Sequence, residues 1–230
     1  MTRAFKFLTH GARGRFSRFE WPRPDALPGD WVDAGPVIVD CAQGVHACRV
    51  SDLPGWIDDE LWVVELDGEV VERESMLIAR RGRLLARVEA WGAEAQRAFA
   101  EVCVWRARDA AVAHFRRSGF LDEADALAAA PDLAALQAYA RDAALATGDD
   151  AAAFVADAVS LLDGDRPDWW RGEGGGSVAQ PPSATAANLG FVVAHVIAQI
   201  PNTDSYESAF AAERAWQVRW LVAQLGLTKQ

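Results

Sequence analysis

Apolar and polar positions change their rhythm once along this chain, near residue 88. Before it, short runs rich in Val, Ile, Leu and Trp are cut by Gly and Pro, a pattern of strands and turns. Residues 61–66 and 69–71 flank Asp67-Gly68, a dipeptide suited to the positive φ of a tight hairpin turn. Residues 76–79 and 84–88 predict a second pair of strands around Arg81-Gly82, and Val37-Ile38-Val39 reads as a short buried strand. A first strand closes at Thr9-His10-Gly11-Ala12-Arg13. Pro22, Pro24, Pro28, Gly29, Gly35 and Pro36 mark the loop-rich stretch that follows. Ser51-Asp52-Leu53-Pro54 predicts a cap and one short helical turn ending near Trp56.

From about residue 90 the apolar positions recur every three or four residues, as on helices. Residues 91–117 carry Phe99, Val102, Cys103, Ala110 and His114 at that spacing and stop at Ser118-Gly119. Ala-rich helices follow over 121–130, 133–146 and 151–162, punctuated by Pro131 and Gly148. Asp122, Asp132, Asp149 and Asp150 sit near their starts, where the helix dipole favours acids. Residues 164–184 break the pattern, because Gly174-Gly175-Gly176-Ser177 and Pro181-Pro182 predict a loop, with Trp169-Trp170 just before the glycines. Two helices close the chain, one over 186–200 and one running to Leu225, the latter with an expected acidic N-cap at Asp204 and Glu207 three residues on. Strands first and helices after predict an α+β fold. The expected division is a mostly antiparallel β-rich part over 1–88 and a helical domain over 89–230.

Composition narrows the function classes. With 51% hydrophobic and 24% charged residues in 230, the chain is globular. A net charge of −10 argues against a nucleic-acid surface, which needs a concentrated basic patch. No segment reaches the ~20 apolar residues of a membrane helix, so no membrane partner is expected. Met1-Thr2-Arg3-Ala4-Phe5-Lys6 leads into a polar stretch rather than an apolar leader. Three cysteines then fit a reducing, cytoplasmic setting. The richness in Ala, Arg, Asp and Gly has the character of a high-GC, actinobacterial genome.

Candidate chemistry concentrates in Cys41-Ala42-Gln43-Gly44-Val45-His46-Ala47-Cys48, which holds two of the three cysteines and one of the four histidines. Cys41, His46 and Cys48 are soft donors suited to zinc, yet Cys-x4-His-x-Cys is not a usual knuckle spacing, and a fourth ligand would have to come from Cys103 or His114. The expectation is therefore no metal, with two thiols flanking a structural turn at Gly44. His114 and His195 read as satisfied helix residues, the second within reach of Glu213 or Arg214.

A second constellation combines His10-Gly11, the Gly44-Val45-His46 segment and the acids Glu72 and Glu74. Their order resembles the His-Gly, Gly-Ile-Tyr and Glu elements of ADP-ribosyltransferases of the polymerase type, with histidine standing in place of the tyrosine. The resemblance implies a nicotinamide dinucleotide substrate, held by His10, Gly11 and Arg13. His10, His46 and either Glu72 or Glu74 would then be the catalytic residues.

Two further resemblances cover more of the chain. Cys-x-x-Gly-Val-His-Ala-Cys followed by Asp52-Leu53-Pro54-Gly55-Trp56 resembles a small module, over residues 4–88, of actinobacterial and phage-type proteins of unassigned function. Gly190-Phe191-Val192-Val193-Ala194-His195 through Glu213-Arg214-Ala215-Trp216-Gln217-Val218-Arg219-Trp220-Leu221 is similar to the end of all-helical immunity proteins of bacteria. Together they imply an accessory cytosolic protein, of the immunity or defence kind, that binds a protein or small-molecule partner. Its acidic charge favours a cationic partner, and Trp169 and Trp170 are the candidate contact residues. The alternative is the enzyme of the preceding paragraph, with its site between the strands and the helices.

Overall fold

The computed structural model describes residues 1–24, 28–40, 42–162, 180–200 and 205–227. It is α+β, with an antiparallel sheet in the N-terminal part and helices after it. Among the described residues no helix is long and apolar enough to cross a membrane. The chain forms two compact units, residues 1–96 with 216–230, and residues 97–215.

The first unit is built on five strands: β1 (Thr2–Leu8), β2 (Val32–Asp33), β3 (Val45–Ala47), β4 (Glu60–Glu72) and β5 (Leu77–Arg87). They run in the order β1-β4-β5-β2, all antiparallel, and β3 also pairs with β5. Immediately after β3, Cys48 exchanges both backbone hydrogen bonds with Phe5 of β1, at 2.7 and 2.9 Å. β1, β4, β5 and the β3 segment thus close into a ring. Side chains alternate across each strand. One face of the ring gathers Ala4, Leu8, Val45, Ala47, Trp62, Val64, Leu66, Leu77, Ala79 and Leu84 around Trp21.

Several turns differ from those the sequence predicts. Asp67-Gly68 does not reverse the chain; it lies inside the 13-residue β4 as a bulge. Asp67 faces Arg81 and Val70 faces Ala79, so Gly68 and Glu69 together oppose Arg80. Gly68 takes φ +80°, which suits glycine in a bulge as well as in a turn. Nor does Arg81-Gly82 turn, since it continues β5. The actual hairpin turn is Arg73-Glu74-Ser75-Met76, closed by Arg73 N–H to the Met76 carbonyl at 2.9 Å. Distant side chains clamp it: the Arg49 guanidinium donates to the carbonyls of Arg73 and Glu74, and Trp56 Nε1 to that of Ser75. A turn held by long-range contacts leaves no local dipeptide signal, whereas a bulge glycine imitates one. Val37-Ile38-Val39 is not a strand either: Val37 and Val39 are exposed, and Val39 makes an isolated bridge to Gln43. The short helical turn near residue 51 is present as a 3₁₀ helix over Val50–Gly55, its start held by Asp52, which accepts from Arg49 N–H.

Helices follow the predicted rhythm: α1 (Ala93–Ser118), α2 (Leu121–Ala128), α3 (Leu133–Thr147), α4 (Asp150–Leu162), α5 (Pro182–Gln199) and α6 (Tyr206–Leu225). Within the second unit α3 packs on both α2 and α4, and α4 on α5. Small residues such as Ala140, Ala143, Ala152 and Ala156 let these axes approach around Leu127, Leu136, Val155 and Leu189. Asp132 caps α3 by accepting from Ala135 N–H. Asp149 accepts from Ala151 N–H at the start of α4 and pairs with His114 at 2.7 Å. Most of the predicted 164–184 loop lies outside the described residues, but its last three positions are helical, because Pro182 serves as the first residue of α5. Asp204 also lies outside them. Ser205 supplies the cap of α6, its hydroxyl accepting from Ser208 N–H.

One buried acid fixes how the loop after β1 joins the sheet. Glu60, 3% exposed at the start of β4, accepts from Gly11 N–H, Ala12 N–H and Trp62 Nε1 at 3.0–3.1 Å. Ala12 is held at φ +58°, a conformation that costs an alanine ~1 kcal/mol. Replacing the acid removes the acceptor of all three donors. Glu60→Ala is expected to lower unfolding stability by about 3 kcal/mol and Glu60→Gln by less, measured as urea midpoints.

Candidate functional site

β1 reads Thr-Arg-Ala-Phe-Lys-Phe-Leu, and its alternation sends Ala4 and Leu8 into the apolar face. Lys6 falls between them on that same face. Its ammonium stands 5.0 Å from the Trp21 ring centroid and donates to the main-chain carbonyl of His46. Among the described residues no carboxylate lies at ion-pair distance from it. Burial is what shifts Lys6, lowering its pKa to about 8, with the nearby Cys48 a smaller opposing influence. A cation–π contact offers ~1–2 kcal/mol, too little to replace a lost hydration shell.

Lys6 lies in the wall of an open cavity of about 890 Å³ whose lining residues all belong to the first unit. Four stretches line it: residues 5–8 of β1, the loop carrying Arg15, Phe16, Phe19 and Trp21, residues 32–34, and residues 42–48. Trp56, Asp58 and Met76 complete the lining. Its rim is unusually apolar for a surface: Phe16 is 87% exposed and Phe19 45%, the latter edge-on to Trp21. Arg15 does not stand free there, since it pairs with buried Asp58 at 2.8 Å.

The residues singled out from the sequence are dispersed around this cavity. His46 and Cys48 line it, while His10, Gly11, Arg13, Glu72 and Glu74 do not. The His10 side chain is 94% exposed, and its backbone N–H bonds Asp59. Gly11 N–H is engaged by Glu60, and Arg13 pairs with Glu20 at 3.5 Å. Glu72 stands at the far end of β4 from Glu60, three-quarters exposed, beside Arg49 at 3.6 Å. Glu74 is an exposed turn residue whose carbonyl receives Arg49. His10, held beside Asp59 and Glu60, and Glu72 therefore stand at opposite ends of β4.

His46 is half-buried, with Nδ1 3.1 Å from the Gly44 carbonyl and a buried Nε2 that has no partner among the described residues. Burial first, then the charge of Lys6, lowers its pKa. Cys48 is 1% exposed, and burial pushes its thiol far above the ordinary range, as it does for Cys103. Both remain thiols at neutral pH, poor nucleophiles and poor metal donors. Cys41, Trp169 and Trp170 lie outside the described residues. Among those described, no cluster of three or more His, Cys, Asp or Glu could hold a metal. His195 bonds the Tyr206 hydroxyl rather than Glu213, which pairs with Arg106 at 2.6 Å.

Lys6, Trp21, Phe16 and Phe19 escape the motif search because none belongs to a recognised chemical pattern. The one available signal is a single lysine at an inward position of an apolar strand. The chain matches no known protein family, no curated protein and no solved structure.

Two outcomes follow from these environments. In the native protein, Cys48 and Cys103 should alkylate at least about tenfold more slowly than in urea, mapped by mass spectrometry. Because Lys6 titrates near 8 folded and at 10.5 unfolded, the unfolded chain binds more protons between those values. Stability of the wild type relative to Lys6→Met should accordingly rise as pH increases from 8 to 10.5, followed by urea denaturation at each pH.

Proposed function

We propose that this chain is an accessory binding protein whose N-terminal unit holds a small organic molecule with an apolar, ring-containing body. The cavity carries the reading. Its volume falls within the roughly 300–1,000 Å³ of small-molecule sites, and its lining joins aromatic rings to a few fixed polar groups. Phe16 and Phe19 support it further, because exposed rings at a cavity rim gain burial only when something enters. The two thiols described, being protonated, favour binding over covalent catalysis.

A cationic protein partner draws support from the net charge of −10 alone, which makes the small-molecule reading the stronger of the two. Both fit an accessory role in the cytoplasm. The test uses N-phenyl-1-naphthylamine, an uncharged ring compound that fluoresces on entering apolar sites. Wild-type protein is expected to bind it with one-to-one stoichiometry. Ala42→Trp, which places a large ring at an exposed lining position, should weaken that binding at least about tenfold, as expected for filling a specific site. Equal binding by both proteins would remove the cavity as the ligand site.

A further inference from the structure

We infer that the ligand of this cavity is an acid, an apolar body carrying one carboxylate or sulfonate-type anion that pairs with Lys6. The inference rests on reading the cavity as a ligand site and adds the charge of what fills it. Three observations carry it. Lys6 lies on the face of β1 that also holds Ala4 and Leu8, so its ammonium is directed into the apolar side of the ring rather than to bulk water.

Its described contacts are one carbonyl and one indole face, both of which favour the charged form, and neither of which supplies a counter-charge. The other cation in the lining, Arg15, already has its anion in Asp58. An ammonium can donate three hydrogen bonds, and a carboxylate in the cavity would accept those that the His46 carbonyl does not.

The surrounding charges leave that role to the ligand. From the β3 segment, His46 and Cys48 lie close enough to Lys6 to interact with its charge, and burial disfavours the charged form of each. Across the strand pair Lys6 stands opposite Trp62, which has no charge. Glu60, two residues from Trp62, is already held by Gly11, Ala12 and Trp62. Asp33 lines the rim from an exposed position and accepts from Gly35 N–H. An entering anion thus meets one unmatched cation with no carboxylate beside it.

The experiment compares two probes that share a skeleton and differ in one anion. These are 8-anilinonaphthalene-1-sulfonate and its uncharged counterpart N-phenyl-1-naphthylamine, titrated into wild type and Lys6→Met, with folding of each checked by circular dichroism. Wild type is expected to bind the sulfonate about tenfold or more tightly than the variant, as for loss of a partly buried ion pair. The uncharged probe should bind both alike. In wild type the sulfonate affinity should fall as pH rises above about 8, where Lys6 loses its proton. Equal sulfonate binding by the two proteins, or a flat pH profile, overturns the inference while leaving the cavity as a ligand site. Failure of both probes to bind wild type overturns that reading as well. Should Lys6→Met not fold, Lys6→Arg and the wild-type pH profile decide: the arginine variant keeps its charge and is expected to retain sulfonate binding above pH 9.

Discussion

Two backbone hydrogen bonds between Phe5 and Cys48 decide the architecture of the N-terminal unit. β4 and β5 form a long hairpin, and β1 adds to one side of it. Without the Phe5–Cys48 exchange, β3 would lie beside β5 as a three-residue edge, and β1 would end the sheet on the other side. The exchange joins those edges, so the wall of the cavity is made from main chain already committed to strand pairing. The other side of β3 requires close approach to β5. At Gly82 an added Cβ would lie 2.7 Å from Val45 Cγ1, and at Gly44 2.4 Å from Ile78 Cγ2. Both contacts are shorter than carbon atoms tolerate, so glycine at these positions is a condition of seating β3 on β5.

That closure also explains what the cysteine–histidine segment contributes. Its backbone pairs with β5 on one side and β1 on the other, and the His46 carbonyl receives Lys6. Val45 and Ala47 fill the apolar face. Cys48 is small and apolar enough to be buried where the ring shuts. The segment matters through its main chain and its packing more than through its thiol.

The fold was legible where its causes are local. Helix periodicity, the Asp132 and Asp149 caps and the 3₁₀ turn after Arg49 all follow from residues a few positions apart. The long strands β1, β4 and β5 were anticipated, but not their turns, nor the short β2 and β3. Asp67-Gly68 has the chemistry of a hairpin and the position of a bulge, and only the pairing of Val70 with Ala79 distinguishes the two. Arg73-Glu74-Ser75-Met76 turns because Arg49 and Trp56 hold it from 19–25 residues away. The site was less legible still. Histidines, cysteines and acids draw notice by type, yet His10 and Glu72 are set at opposite ends of β4. Lys6 draws none, because lysine is common and its meaning depends on which face of a closed sheet it occupies.

The N-terminal unit treats its inward charges of opposite sign differently. Glu60 is enclosed with three donors, each at ordinary hydrogen-bond length. That number is enough to replace much of the hydration a carboxylate loses. Lys6, half-buried on the same sheet, has a single described acceptor and a ring. Lys6 is the less deeply enclosed of the two, yet it has the poorer compensation. For Glu60 the compensation comes from the backbone of the neighbouring loop, the Trp62 indole and the Arg87 guanidinium at 3.7 Å, which makes the acid part of the fold. For Lys6 the space where compensation would stand is the cavity itself, lined by Trp21 and the exposed Phe16 and Phe19. A fold that satisfies its inward anion completely and its inward cation only in part is arranged to receive an anion from outside.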